Sequence, residues 1–131
     1  MSAHSLSIYL RMFMNNGSPL LRPESIAQMR TIVPGVIPYE NINKTTNDSS
    51  SATMQFGLSW YWQRLGNGRR YIGHGGSMPS VAHSMLVNEK GDVGIILLTS
   101  ADASPVTDTT IQMALALGKL QSAIVDCFDN E

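Results

Sequence analysis

Val81-Ala82-His83-Ser84-Met85-Leu86-Val87, then Asn88-Glu89-Lys90-Gly91-Asp92, then Val93-Gly94-Ile95-Ile96-Leu97-Leu98 is the stretch that decides the fold. Two apolar runs flank five polar residues, and Gly91 can take the positive φ that a short connection between antiparallel strands needs. The second run is apolar on both faces, which places it in the middle of a sheet covered on both sides. Upstream, Arg70 to Gly75 reads as another strand, with Gly66-Asn67-Gly68 as the turn before it. Phe56-Gly57-Leu58-Ser59-Trp60-Tyr61-Trp62 alternates imperfectly, and its aromatic content suits one further strand with a large buried face. The sum is an antiparallel sheet of about four strands.

Helical spacing governs both ends of the chain. Leu6, Tyr9, Leu10 and Phe13 fall on one helix face; Ser2 or Ser5 can cap it, and Asn15-Asn16-Gly17 ends it. A short second helix is expected from Pro23 to Met29, with Glu24 at its positive end and Ile26 and Met29 on its apolar edge. A long last helix is expected from about Ser104 to Phe128, opened by Pro105. Val106, Met113, Leu117, Leu120, Ile124 and Phe128 share one of its faces, with Thr110 and Gln121 at the margin. Gly118 costs about 1 kcal/mol in a helix interior, so close packing against the sheet is expected there. Between Thr31 and Thr53, Pro34, Gly35 and Pro38 break regular structure and residues 41–51 are almost wholly polar, as in a surface loop. The fold class is therefore α+β, in one unit over residues 1–131: helices in 1–30, a loop in 31–54, strands and the covering helix in 55–131.

Charged residues make up 15% of the chain, low enough to indicate a lightly charged surface or one meant to be covered. Net charge is −1 and no basic run exceeds Arg69-Arg70, so neither nucleic acid nor an acidic membrane has electrostatic support as a partner. The one cysteine, Cys127, excludes an intrachain disulfide and a thiolate metal cluster. Residues 1–9 lack the cationic start and apolar run of a secretory signal, and Val93 to Leu98 is too short to span a bilayer. No membrane partner is expected, and the default compartment is the cytoplasm. The triplets at Asn16, Asn43 and Asn47 match the glycosylation pattern but read as ordinary polar-loop composition.

The sharpest chemical feature is Tyr71-Ile72-Gly73-His74-Gly75-Gly76-Ser77. A strand ending in a histidine and paired glycines exposes backbone that no β-carbon shields. Such an edge can hold an extended ligand by main-chain pairing, while an amide at its end stabilises a developing oxyanion. His74 adds a donor or cation near neutral pH. On these residues alone a glycine bulge beside a satisfied histidine is the better reading, since one histidine and three glycines commonly occur together.

Five segments in order carry a resemblance: Ser2-Ala3-His4-Ser5-Leu6, Leu21-Arg22-Pro23-Glu24-Ser25, Phe56-Gly57-Leu58-Ser59-Trp60, Gly73-His74-Gly75-Gly76, and Val93 through Thr99. With them the chain resembles the C-terminal portion of the penicillin-recognising serine hydrolases: class C β-lactamases, D-alanyl-D-alanine carboxypeptidases and their esterase, D-aminopeptidase and β-lactamase-like relatives. The resemblance implies an incomplete β-lactamase-like fold. It places His74-Gly75-Gly76 on the family's third active-site element, Lys-Thr-Gly or His-x-Gly. His74 would then make polar contacts to substrate or transition state, Gly75 and Gly76 would line the substrate strand, and the Ser77 backbone N–H would supply half of an oxyanion hole. Histidine at the first position is more like the esterase, peptidase and β-lactamase-like branches than a dedicated β-lactamase. No cofactor or metal is implied.

The departures matter more. The family's chemistry needs Ser-x-x-Lys, whose i, i+3 spacing puts lysine and serine on one helix face. Here the lysines are Lys44, Lys90 and Lys119, preceded three positions earlier by Asn41, Val87 and Ala116. The family's Tyr-x-Asn has a formal match in Tyr39-Glu40-Asn41, but at a place in the order where the family does not put it. His4 reads as a surface residue near a cap. His83 reads as a packing or hydrogen-bonding residue; it could face His74 across the hairpin, but no carboxylate completes a zinc site. The methionines and the pair Trp60 and Trp62 read as core filling. The expected function is thus the C-terminal part of a serine acyl hydrolase acting on an ester, amide or β-lactam bond, inactive alone. The alternative is a non-catalytic binding or assembly module that keeps a degenerate cleft. In either case the strand carrying Val93 to Leu98 should show an unpaired edge, to be covered by a complementing N-terminal polypeptide or a homo-oligomer. A small acyl substrate is expected only when the site is completed.

Overall fold

The computed structural model describes residues 2–34, 54–78, 81–100 and 108–129. The stretch 35–53, with Tyr39-Glu40-Asn41, Lys44 and the triplets at Asn43 and Asn47, lies outside them, as does the expected start of the last helix at Ser104 and Pro105.

Helix α1 spans Ala3–Met14 and is capped by Ser2, whose Oγ accepts the Ser5 amide at 3.1 Å. A cap of this kind stabilises by about 1 kcal/mol. The helix ends where expected, through Asn16 and Gly17 at φ 53° and 93°. Helix α2, Pro23–Arg30, opens on its proline, carries Glu24 in the first turn and buries Ile26. His4 is exposed, as its place beside the cap suggests.

Five strands form one antiparallel sheet in chain order: β1 (Gln55–Phe56), β2 (Tyr61–Arg64), β3 (Arg70–Met78), β4 (Val81–Asn88) and β5 (Gly94–Thr99). The count exceeds the expected four because Phe56 to Trp62 is two strands. Gly57 accepts no side chain, since a Cβ there would meet the Met29 carbonyl oxygen at 2.5 Å. Ser59 adopts φ 63°, and the Gly57 amide closes the turn on the Trp60 carbonyl at 2.7 Å. A two-residue turn at Leu58 and Ser59 results. Strand β3 also runs three residues past Gly75, through Ser77 and Met78.

β5 is the outermost strand of the sheet among the described residues and shows the open edge expected of it. The mid-sheet position that its apolar pattern suggested is corrected, because that pattern comes from helices on its two faces rather than from strands on its two sides. On one face, Leu10, Phe13 and Ile26 of the first two helices pack with Trp60, Ile72 and Val87. On the other, Tyr71, Leu86 and Ile95 pack with Val125 from helix α3 (Asp108–Phe128). Both Trp residues do fill core, Trp60 fully and Trp62 in part, but Met78 is 70% exposed and fills nothing.

Helix α3 turns Thr110, Met113, Leu117, Gln121 and Ile124 toward cover, while Leu120 and Phe128, expected on the same face, are 49% and 70% exposed. Gly118 faces open space, and a Cβ placed on it would have nothing within 4 Å, so it marks no close helix–sheet approach. α3, 21 residues long with a mean hydropathy of 1.2 over its most apolar 18-residue window, is also long and apolar enough to cross a membrane by length and composition alone. Its last turn is nonetheless fastened to the sheet. The buried Asp129 carboxylate accepts from the Tyr71 hydroxyl, from Asn88 Nδ2 at 3.1 Å and from the Arg69 guanidinium at 2.9 Å. Asn88 Oδ1 in turn accepts the amides of Gly91, Asp92 and Val93 at 2.9–3.1 Å, so one asparagine orders the β4–β5 connection. Gly91 takes φ 84° in that connection, as expected.

Candidate functional site

Hydrogen-bond parity fixes what β3 presents. In an antiparallel pair, directly opposed residues alternate between exchanging both backbone bonds and exchanging none. The Glu89 amide bonds the Arg70 carbonyl at 3.0 Å, so Arg70, Ile72, His74, Gly76 and Met78 turn their backbone groups to β4. The Leu65 amide bonds the Arg69 carbonyl at 3.1 Å, which gives the complementary result: Tyr71, Gly73, Gly75 and Ser77 turn theirs to the β2 side. The ladder with β2 stops at Tyr61 opposite Gly73, because the chain bends away at Ser59 and Trp60. Beyond that point the N–H and C=O of Gly75 and of Ser77 face a side of the sheet that no described strand occupies.

The three glycines around His74 have different reasons. A Cβ on Gly73 would lie 2.2 Å from the Met85 carbonyl oxygen, so this residue is glycine for packing. One on Gly75 would lie 2.9 Å from the Tyr61 hydroxyl. Gly76 has nothing within 4 Å and no positive φ, so the fold itself does not require glycine there. Gly73→Ala is expected to cost about 1–3 kcal/mol through overpacking, while Gly76→Ala should stay within about 0.5 kcal/mol of the parent. Thermal unfolding of the two variants checks the contrast; equal losses would mean that Gly76 is a packing residue too.

His74 is exposed, its ring 6.2 Å from that of Tyr61 and tilted 41° to it. Tyr61 is the residue the sequence reading missed. It ends β2, borders the free side of Gly75, and burial pushes its hydroxyl pKa up, keeping it a neutral donor. The signal was its polar tip within an aromatic run, since a half-buried tyrosine hydroxyl needs a partner. His83 does not stand opposite His74. It pairs with Gly76, one diagonal step away, is exposed, and lines a recess with Leu6, Leu98 and Thr99. Among the described residues no three His, Cys, Asp or Glu side chains gather as a metal site would require.

No protein-family model matches this sequence, and no curated protein matches it. Among solved structures it is similar to a D-stereospecific amidohydrolase from a Streptomyces species, with a TM-score of 0.56 at 20% identity over 85% of this chain. That match covers 28% of the amidohydrolase, so the chain spans under a third of its length. The likeness is one of fold: α+β, an antiparallel sheet of five strands, helices before it and a long helix after it.

Proposed function

We propose that this chain is the C-terminal part of a serine acyl hydrolase and contributes one wall of its active site. The observation that carries the reading is the free side of β3, where Gly75 and Ser77 aim backbone donors and acceptors outward beside His74 and an unfilled space at Gly76. A substrate carbonyl within reach of the Ser77 N–H would have its oxyanion stabilised as a serine oxygen adds to the carbonyl carbon; one such donor is worth about 10²–10³ in rate. The acyl-enzyme would form as the alcohol or amine departs with a proton, and water would then release the acid. His74 would donate to substrate, and Tyr61 would bound the end of the groove. The serine, and the lysine that activates it, would come from a complementing N-terminal polypeptide, because the chain's lysines have no serine three positions before them.

The fold likeness to a D-stereospecific amidohydrolase makes amides of D configuration a substrate class to screen, with nitrocefin and short-chain esters. Purified chain alone is expected to turn over none of these and to gain no mass from an acylating probe. Addition of a polypeptide carrying the Ser-x-x-Lys region should produce turnover that His74→Ala lowers. Turnover by the chain alone, reduced in His74→Ala, would overturn the reading. The open side of β5 favours a second reading, a non-catalytic assembly module, which the screen supports if no complement produces turnover while binding at that edge persists.

A further inference from the structure

β5 carries six backbone groups that no described residue meets, and their positions specify a partner strand. The Asn88 amide bonds the Val93 carbonyl at 3.0 Å, which makes this an exchanging pair. By the same alternation Ile95, Leu97 and Thr99 bond to Leu86, Ser84 and Ala82, and Gly94, Ile96 and Leu98 direct N–H and C=O away from β4. No described strand lies on that side. The run Gly94–Thr99 has no charge, no proline and no bulge, the devices that blunt a sheet edge.

We propose that the occupant of this edge, in the chain by itself, is a second copy paired β5 to β5 about a two-fold axis through Ile96. An antiparallel two-fold keeps each face of the sheet continuous only when residues of like parity are opposed. The register Gly94 to Leu98, Ile96 to Ile96 and Leu98 to Gly94 meets that condition and satisfies all six groups at once. Moving the centre by half a residue opposes outward groups with inward ones, and moving it by one residue or more leaves part of the row unused.

Shape agrees with this register. Gly94, Ile96 and Leu98 share the face covered by α1, where Gly94 lies against Leu10 and Met14. An open groove beside Gly94 and Ile96 is lined on the helix side by Ala3, Ser7, Leu10 and Met14, with His4 and Arg11 as its polar part. Leu98 of the second copy falls opposite Gly94, at the mouth of that groove. An uncharged strand paired with itself brings no like charges together.

Area sets the strength. Six residues span about 20 Å of strand, and an edge of that length covers only a few hundred Å². A stable interface needs roughly 600–1,000 Å² per partner. The flanking helix α3 exposes Ile111, Leu115 and Leu120, which can supply more apolar area without reaching the upper figure. The dimer is therefore a reversible one, and a strand from a complementing polypeptide would displace it by taking the same six groups. This inference does not depend on the catalytic reading.

Light scattering on the eluting chain should give twice the chain mass at about 100 µM and the chain mass at about 1 µM, as a small interface requires. Amide exchange should slow at Gly94, Ile96 and Leu98 as concentration rises, while Ile95 and Leu97 stay protected throughout. Ile96→Pro removes an outward donor and spares the β4 ladder, so it should abolish the dimer and leave circular dichroism unchanged. If that variant fails to fold, the exchange experiment on the parent chain still decides. A monomer at about 100 µM with the three amides unprotected overturns the proposal, as does a dimer that survives Ile96→Pro, an open-ended oligomer, or protection that appears only on adding another polypeptide.

Discussion

Asp129→Ala should lower stability by about 3 kcal/mol, because it removes the acceptor that a buried tyrosine and a buried asparagine share. Tyr71 and Asn88 are 0% and 3% exposed, so neither can turn to water when the carboxylate is gone. The Arg69 side chain is 35% exposed and loses less, since solvent already screens its charge. Asn88 also holds three amides of the β4–β5 connection, so its displacement would loosen the turn as well as the end of α3. On a chain of this size the loss corresponds to a fall in Tm on the order of 10 °C. Tyr71→Phe removes one hydrogen bond and leaves the rest of the network, so it should cost nearer 1 kcal/mol. A urea titration with unchanged slope would read both, and an Asp129→Ala variant as stable as the parent would mean that the network is not formed.

The same group is expected to contribute to the acid limit of the fold. Burial alone pushes the Asp129 carboxyl pKa up, but hydrogen bonds from Tyr71 and Asn88 and the Arg69 guanidinium outweigh it and leave the pKa below its ordinary value. A carboxyl lowered in the folded state contributes fully above its unfolded pKa of about 3.9. That contribution is lost as pH falls through the folded value. Tyr71 behaves oppositely: burial and the bond to Asp129 raise its pKa, so its contribution is complete below about pH 10 and is lost on further alkalinisation. Stability should thus be flat across neutral pH and fall at both ends, and Asp129→Asn should flatten the acid side. An unaltered acid limb in that variant would assign the limb to other carboxyls.

Legibility in the sequence tracked how local each determinant is. The β4–β5 hairpin was readable because two apolar runs and Gly91 lie within eighteen residues, and the ends of α1 because Ser2 and Gly17 act on their own neighbours. The split of Phe56 to Trp62 was not readable, since it rests on the Met29 carbonyl crowding Gly57 and on Ser59 adopting a conformation its type does not announce. The apolar string of β5 could not by itself separate an edge strand from a central one, because helices above and below produce the same string; its open edge was expected only from the missing strands that the resemblance implies. The network of Arg69, Tyr71, Asn88 and Asp129 joins positions up to sixty residues apart and leaves no spacing to detect. At the candidate site the glycines and His74 were legible as a motif. Which backbone groups face outward was not, because that depends on pairing parity and on where β2 ends.

Trp60→Ala should be the second large effect, costing about 3–5 kcal/mol for a large buried aromatic. Trp60 is 2% exposed and stacks on Phe13 at 3.8 Å between centroids and 10° between planes, with Tyr9 at 6.4 Å. It is also the residue at which the chain leaves β3, directly after Ser59 at φ 63°. A positive φ at serine is unfavourable in itself, so the turn at Leu58 and Ser59 persists because the indole anchors the residue that follows. With alanine the anchor goes and β2 becomes free to extend along β3, where its natural register would put Ser59 opposite Gly75 and Gly57 opposite Ser77. The free side would then be closed by the chain's own backbone. Amide exchange separates this from simple loosening: Gly75 and Ser77 should become slower to exchange in Trp60→Ala than in the parent, although the fold as a whole is less stable. Faster exchange at both positions would mean that the open edge depends on something other than the tryptophan. Trp60→Phe, which keeps a stacked ring on Phe13, should lose about half as much stability and leave the two amides as they are in the parent. The packing of one indole against α1 thereby decides whether the outward groups of Gly75 and Ser77 remain available to a ligand.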